Sequence, residues 1–160
     1  MPVFLVRHAK AGSRSGWDGS DFDRPLSIAG IQQSQLLVET FSIYSPPAVY
    51  SSPYLRCVRT VEPIAAHCGL TVRIEPRLAE ATDFEETLAL LNDVEDNAVL
   101  CSHGDVIPAA VQALIRRGLE MTTPTDSRKA AVYVLHRDGA HFVSAECFAP
   151  PQLQTLSLFF

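Results

Sequence analysis

VFLVRHAKAG, residues 3–12, passes from four apolar residues straight into an arginine and a histidine and then into small residues. The run Pro2–Val6 (PVFLV) is β-branched and aromatic without polar alternation, the pattern of a short strand covered on both faces, and therefore of a central strand in a parallel sheet. Open α/β sheets bind their ligands beyond the carboxyl ends of such strands. Arg7 and His8 stand at that end, and Ala9, Ala11 and Gly12 behind them leave room for a bound group.

Working outward, a polar loop (GSRSGWDGSDFDRP, residues 12–25) leads to Ser27, a plausible N-cap for a helix over IAGIQQSQLLVETF. Ile28, Ile31, Leu37, Val38 and Phe41 are its expected apolar face, and Gly30 its weak point. PPAVYSS predicts a second strand ending at Ser51 and Ser52, with Pro53 at the first helical position behind a serine cap. The helix that follows ends at Gly69, and Pro63 within it predicts a kink or an early break. TVRIE is a third strand, ETLALLND a short helix, NAVLCS a fourth strand, and HGDVIPAAVQALIRRG a helix closed by Gly118. AAVYVLHRD and AHFVSAEC, parted by Asp138-Gly139, read as a hairpin or two adjacent strands. This order predicts an α/β chain, a three-layer α/β/α sandwich with a mainly parallel central sheet, as one domain over residues 1–160. Residues 149–160 are apolar but proline-led, the pattern of an extended or mobile tail.

The 160 residues suffice for a sizeable core without staples. A net charge of −5 with only 13 Lys and Arg argues against nucleic acid as a partner, since duplex binding draws on many cations. Yet Arg7, Lys10, Arg14, Arg24, Arg56 and Arg59 fall within the first sixty positions, a cluster able to hold a small anion. Taken singly, Lys10, Arg24 and Arg59 read as solvated surface charge. Cys57, Cys68, Cys101 and Cys147 lack zinc-site spacing and read as reduced, mostly buried thiols. No long apolar segment precedes Arg7 and no run approaches a membrane span, so a cytoplasmic protein away from membranes is expected.

The carboxyl ends of the four predicted parallel strands gather Arg7 and His8; Ser51, Ser52 and Arg56; Arg77 and Glu80; and Ser102, His103 and Gly104. Guanidiniums match the oxygens of a phosphoryl group with fork-shaped donors. A neutral imidazole among such cations is a competent nucleophile toward phosphorus. His8 is the candidate nucleophile, with His103 donating to the same oxygens and a carboxylic acid protonating the leaving oxygen. Trp17 anchors its loop or stacks on a substrate ring, the first being the commoner role.

Three stretches carry a resemblance. VRHA at 6–9, SSPYLRCVRT at 51–60 and CSHGDVI at 101–107 resemble the signatures of the histidine phosphatase superfamily, in the branch with phosphoglycerate mutases and SixA phosphohistidine phosphatases. The short length and RPLSIAG at 24–30 look most like SixA; RHAKAGSR is also similar to the phosphatase domain of some Nudix-fused proteins. The resemblance implies His8 as the phosphohistidine, Arg7, Arg56 and His103 as the phosphate pocket, and Glu80 as the proton donor. Because the chain passes directly from Glu80 to TDFEETLALL, Asp83 or Glu85 remain substitutes. Arg14 stands where mutases place an asparagine and is expected to touch phosphate or substrate, with Ser13, Ser52 and Gly104 as further substrate contacts.

The expected activity is a metal-independent, cofactor-free phosphatase acting on a phosphomonoester or phosphoramidate, a phosphohistidine protein or a small phosphorylated metabolite. A nucleotide or other small-molecule phosphatase, a phosphoglycerate mutase and a non-catalytic phosphate-binding module are the alternatives.

Overall fold

In the computed structural model, which describes residues 1–153, a seven-stranded sheet carries helices on both faces. The strands are β1 (Pro2–Arg7), β2 (Val49–Ser51), β3 (Val72–Ile74), β4 (Val99–Ser102), β5 (Glu120–Met121), β6 (Val132–Asp138) and β7 (His141–Phe148), in the order β3-β2-β4-β1-β6-β7-β5. The helices are α1 (Ile28–Ser42), α2 (Leu55–His67), α3 (Phe84–Asp93) and α4 (Val106–Arg116). Parallel pairing joins β1 to β4, β4 to β2, β2 to β3 and β5 to β7, whereas β6 is antiparallel to both of its neighbours. The predicted α/β sandwich is therefore the observed one, with β6 running against the other strands. Residues 154–160, most of the predicted tail, lie outside the described residues.

β1 explains how one strand serves two layers. Successive side chains point to opposite faces, so Phe4 and Val6 join Leu37, Phe41, Val61 and Ile64 of α1 and α2. Val3 and Leu5 join Leu90, Leu91, Ala110, Val111 and Leu114 of α3 and α4. The absence of polar alternation in PVFLV is the mark of this double burial.

α1 departs from its predicted face. Ile28 is 79 % exposed, and the buried positions are Gly30, Ser34, Leu37 and Phe41. Gly30 is a fitted contact: a Cβ there would lie 1.9 Å from the Lys10 carbonyl oxygen. That oxygen also accepts from the Ser27 backbone N–H at 2.9 Å and hydroxyl at 3.1 Å, while Gln33 Oε1 accepts from Lys10 N–H at 3.0 Å. Ser27 Oγ caps the helix by accepting from Gly30 N–H at 3.1 Å. The start of α1 thus clamps the loop leaving β1. Gly30→Ala is expected to cost about 1–3 kcal/mol of stability by overpacking, seen as a lower urea midpoint at constant slope.

α2 corrects two expectations. It starts at Leu55 with no side-chain cap, because the Ser52 hydroxyl is turned to His103 and meets only Tyr54 N–H at 3.3 Å from the helix start. It also runs through Pro63 without a break. Burial of Cys57, Val61, Ile64 and Ala65 along one face offsets the hydrogen bond that the proline removes. The final hairpin turns at Gly139, whose φ of +61° suits the first position of a two-residue loop.

Candidate active site

Strand register assembles the site. β1 and β4 pair in parallel with Arg7 opposite Ser102, and His8 N–H donates to the Ser102 carbonyl at 3.0 Å. The residues immediately beyond these ends, His8 and His103, therefore face each other with ring centroids 5.5 Å apart. β2 ends one strand further on, its Ser51 opposite Cys101, and Ser52 N–H donates to the Cys101 carbonyl at 3.0 Å. Arg7, His8, Ser13, Arg14, Arg56, Glu80, His103 and Gly104 all line one pocket of about 550 Å³.

His8 is 6 % exposed. Its Nδ1 lies 2.8 Å from the Ala9 carbonyl oxygen, an acceptor only, so the proton sits on Nδ1 and the lone pair on Nε2. Burial lowers its pKa to about 3; the Ala9 carbonyl opposes this, and the charges of Arg56 and Arg7 add to the lowering. The ring is neutral near pH 7. His103 Nε2 lies 2.8 Å from Ser52 Oγ and 3.5 Å from Cys57 Sγ. With the hydroxyl hydrogen of Ser52 given to Nε2, the His103 proton resides on Nδ1. That ring meets Tyr54 in a T-shaped contact with centroids 4.8 Å apart, and the face of Tyr54 receives the Arg56 guanidinium at 4.8 Å.

Arg56, 1 % exposed, donates through Nη1 to the Asp21 carbonyl at 3.0 Å. Its Nη2 reaches Asp21 Oδ2 at 3.3 Å and Glu80 Oε2 at 3.4 Å. Arg7 donates through Nη1 to the Ser127 carbonyl. Gly104 makes this arginine possible, for a Cβ there would come within 2.6 Å of Arg7 Cζ. Among the described residues, Arg7 Nε, Arg56 Nε and His103 Nδ1 are buried without a hydrogen-bond partner. Buried donors are normally paired, and these three belong to residues that line the same pocket as His8.

Glu80 reaches the pocket from a loop tied on both sides. Ser102 Oγ donates to the Leu78 carbonyl at 2.6 Å, and Asp105 Oδ2 accepts from Ala81 N–H at 2.8 Å. The Glu80 carboxylate also meets Arg14 Nη2 at 3.3 Å. The two substitutes for Glu80 lie elsewhere: Asp83 caps α3 by accepting from Glu85 N–H at 2.9 Å, and Glu85 pairs with Arg117 at 2.6 Å. Arg77 turns to Glu75 and Asp93, each at 3.0 Å, and does not line the pocket. Trp17 holds its own loop through Nε1–H to the Ser20 carbonyl at 2.8 Å.

Four further residues belong to this edge. Arg24, expected as solvated charge, is 6 % exposed; it donates to the Gly12 carbonyl and to Asp21 at 3.0 Å. Asp21 is held below the usual carboxylate pKa, since burial, which raises it, is outweighed by the Arg24 hydrogen bond and the Arg56 charge. Lys10 and Lys129 line the rim. Lys129 could be found only by knowing the direction of β6: its antiparallel course brings the residues before Val132 to the edge where β1 ends, with Val6 opposite Val132.

A doubly covered α/β sheet with buried cationic donors around a neutral imidazole defines a class of phosphoryl-handling proteins. The family model "Histidine phosphatase superfamily (branch 1)" matches residues 3–88, and the chain belongs to that superfamily. A relative, the 8-oxo-(d)GTP phosphatase of Mycolicibacterium smegmatis, is 31 % identical over 155 residues, 93 % of this chain and 48 % of that protein. The chain thus spans about half the length of that curated relative. The SixA protein of Agrobacterium tumefaciens has the same fold, with a TM-score of 0.73 at 22 % identity over 94 % of this chain and 98 % of the other. A protein histidine phosphatase SixA in complex with tungstate gives 0.71 at 24 % identity, covering 88 % and 92 %. Among the described residues no helix is long and apolar enough to cross a membrane.

Proposed function

We propose that the chain removes a phosphoryl group through a covalent phosphohistidine on His8 Nε2. The observation that carries this reading is the set of three partnerless buried donors, Arg7 Nε, Arg56 Nε and His103 Nδ1, around an imidazole whose free lone pair is on Nε2. The two arginines and His103 hold the phosphoryl oxygens and offset their charge in the loose transition state. Nε2 forms a bond to phosphorus as the bond to the leaving atom breaks, an oxygen in a phosphate ester and a nitrogen in a phosphoramidate. Glu80, in its protonated form, gives that atom a proton. As a carboxylate it then takes a proton from the water that attacks the phosphohistidine, releasing orthophosphate and restoring His8. The protein's own cations supply the charge stabilisation, so no metal takes part and a chelator is expected to leave turnover intact.

Two substrate classes suit this chemistry. A phosphoramidate on a protein follows from the likeness to SixA. A nucleotide follows from the relative named for 8-oxo-(d)GTP, whose identity extends over 93 % of this chain. The test is a single-turnover reaction with labelled phosphate, the phosphoenzyme being trapped and its stability measured. Label that is lost in acid and kept in base is the expected result for a phosphoramidate. Acid-stable label would place the covalent bond on another nucleophile.

A further inference from the structure

Beside the pocket of His8 lies a second cleft of about 690 Å³, and Arg7, Lys10 and Lys129 line both. Each lysine is set by its backbone. Lys10 is clamped by α1 through Gln33 and Ser27. Lys129 precedes Ala130, whose N–H meets the carbonyls of Arg7 at 3.1 Å and His8 at 3.2 Å. Ala130 also holds a φ of +69°, a left-handed conformation that a non-glycine residue keeps only where its surroundings over-determine it.

The charges are one-sided. Among the described residues neither lysine ammonium has a hydrogen bond or ion pair, whereas Arg128, which also lines the second cleft, is neutralised by Asp126 at 2.7 Å. Burial lowers the pKa of Lys129, and the charges of Arg7, Arg24, Lys10 and Arg56 lower it further. The carboxylates of the site face the arginines: Asp21 pairs with Arg24 and Arg56, Glu80 with Arg14 and Arg56, and Asp105, which accepts from Ala81 N–H, lends its charge to Arg7. Lys10 and Lys129, which have no ion-pair partner among the described residues, repel one another, and an anion between them removes that repulsion.

The geometry points to a second anion subsite: Lys10 and Lys129 hold the phosphate that adjoins the one transferred to His8, so the substrate is an organic diphosphate that loses its terminal phosphoryl group. This rests on the phosphohistidine reading above. The Nε2–P bond forms as the bond from phosphorus to the bridging oxygen breaks, and the electron pair stays on that oxygen, now part of a phosphate monoester. The two ammoniums offset its charge, and it needs less help from a proton than an alkoxide would. Water then releases orthophosphate from His8. Arg128 adds nothing to this subsite, its charge being spent on Asp126.

The test compares kcat/KM for ADP and for p-nitrophenyl phosphate in the wild-type chain, in Lys10→Gln, in Lys129→Gln and in the double variant. The double variant is expected to lose at least ten-fold more on ADP than on p-nitrophenyl phosphate, mainly through KM. Lys129→Arg is expected to recover at least half of the loss due to Lys129→Gln. Equal losses on the two substrates would overturn the subsite, as would a wild-type chain that cleaves AMP or a phosphohistidine peptide faster than ADP. A His8→Ala control separates the two ideas: turnover of p-nitrophenyl phosphate surviving in that variant would instead remove the parent reading.

Discussion

His8→Ala is expected to lower kcat by at least about a thousand-fold and to leave no trapped phosphoenzyme, because no other described residue of the pocket presents a free imidazole Nε2 to phosphorus. His103 cannot replace it, since its Nε2 is occupied by Ser52 and Cys57. The wild-type pH profile gives a second readout. With the His8 pKa lowered to about 3, the acid limb attributable to this nucleophile should fall only as pH approaches that value, rather than near the ordinary 6.5 of a histidine. The sign for stability follows. Between pH 6.5 and about 3 the unfolded chain binds the His8 proton and the folded chain resists it, so this contribution is full above 6.5 and declines on acidification through that window. His8→Ala should therefore flatten the acid side of the stability curve as well as abolish turnover. A variant that still turned over at near wild-type rate would refute the role of His8.

The second large effect is expected at Arg56. Its guanidinium is buried against Tyr54, Asp21 and Glu80 and has an unpartnered Nε, so it acts where water screens little. Arg56→Ala should reduce kcat by about a hundred- to a thousand-fold, the usual scale for losing one donor to a transition-state oxygen. Arg56→Lys should recover less than about ten-fold of this, since an ammonium cannot reproduce the planar fork that spans Asp21, Glu80 and a bound anion. Thermal unfolding of both variants distinguishes loss of chemistry from loss of fold. If Arg56→Lys matched the wild type, a point charge would be all that the position requires.

The loop carrying Asp21 shows why the edge of the site was harder to read than its centre. Arg7, His8, Arg56 and His103 follow strands or open a helix, so a pattern of apolar runs and turn residues was enough to bring them to one edge. Asp21 and Arg24 sit in a polar stretch without periodicity, and their mutual pairing depends on how that loop folds across α2. Ser52 and Gly30 have roles that local pattern does not record, for a related cause. A serine before a helix is ordinarily its cap, and a glycine within a helix ordinarily a weakness, unless a neighbour from a distant segment claims the position. Here His103 claims the hydroxyl and the Lys10 carbonyl claims the space.

The linear order of residues was sufficient for the layered architecture and for bringing Arg7, His8, Arg56 and His103 to one pocket, because hydrophobic runs and helix signals act over a few residues and strand ends locate ligands in this kind of sheet. Folding in three dimensions settled the rest. The adjacency of β1 and β4 set the His8–His103 approach, and the reversed direction of β6 carried Lys129 to the same rim. The free-energy differences that fix strand neighbours and directions arise from contacts between segments far apart in the chain, and no local pattern records them.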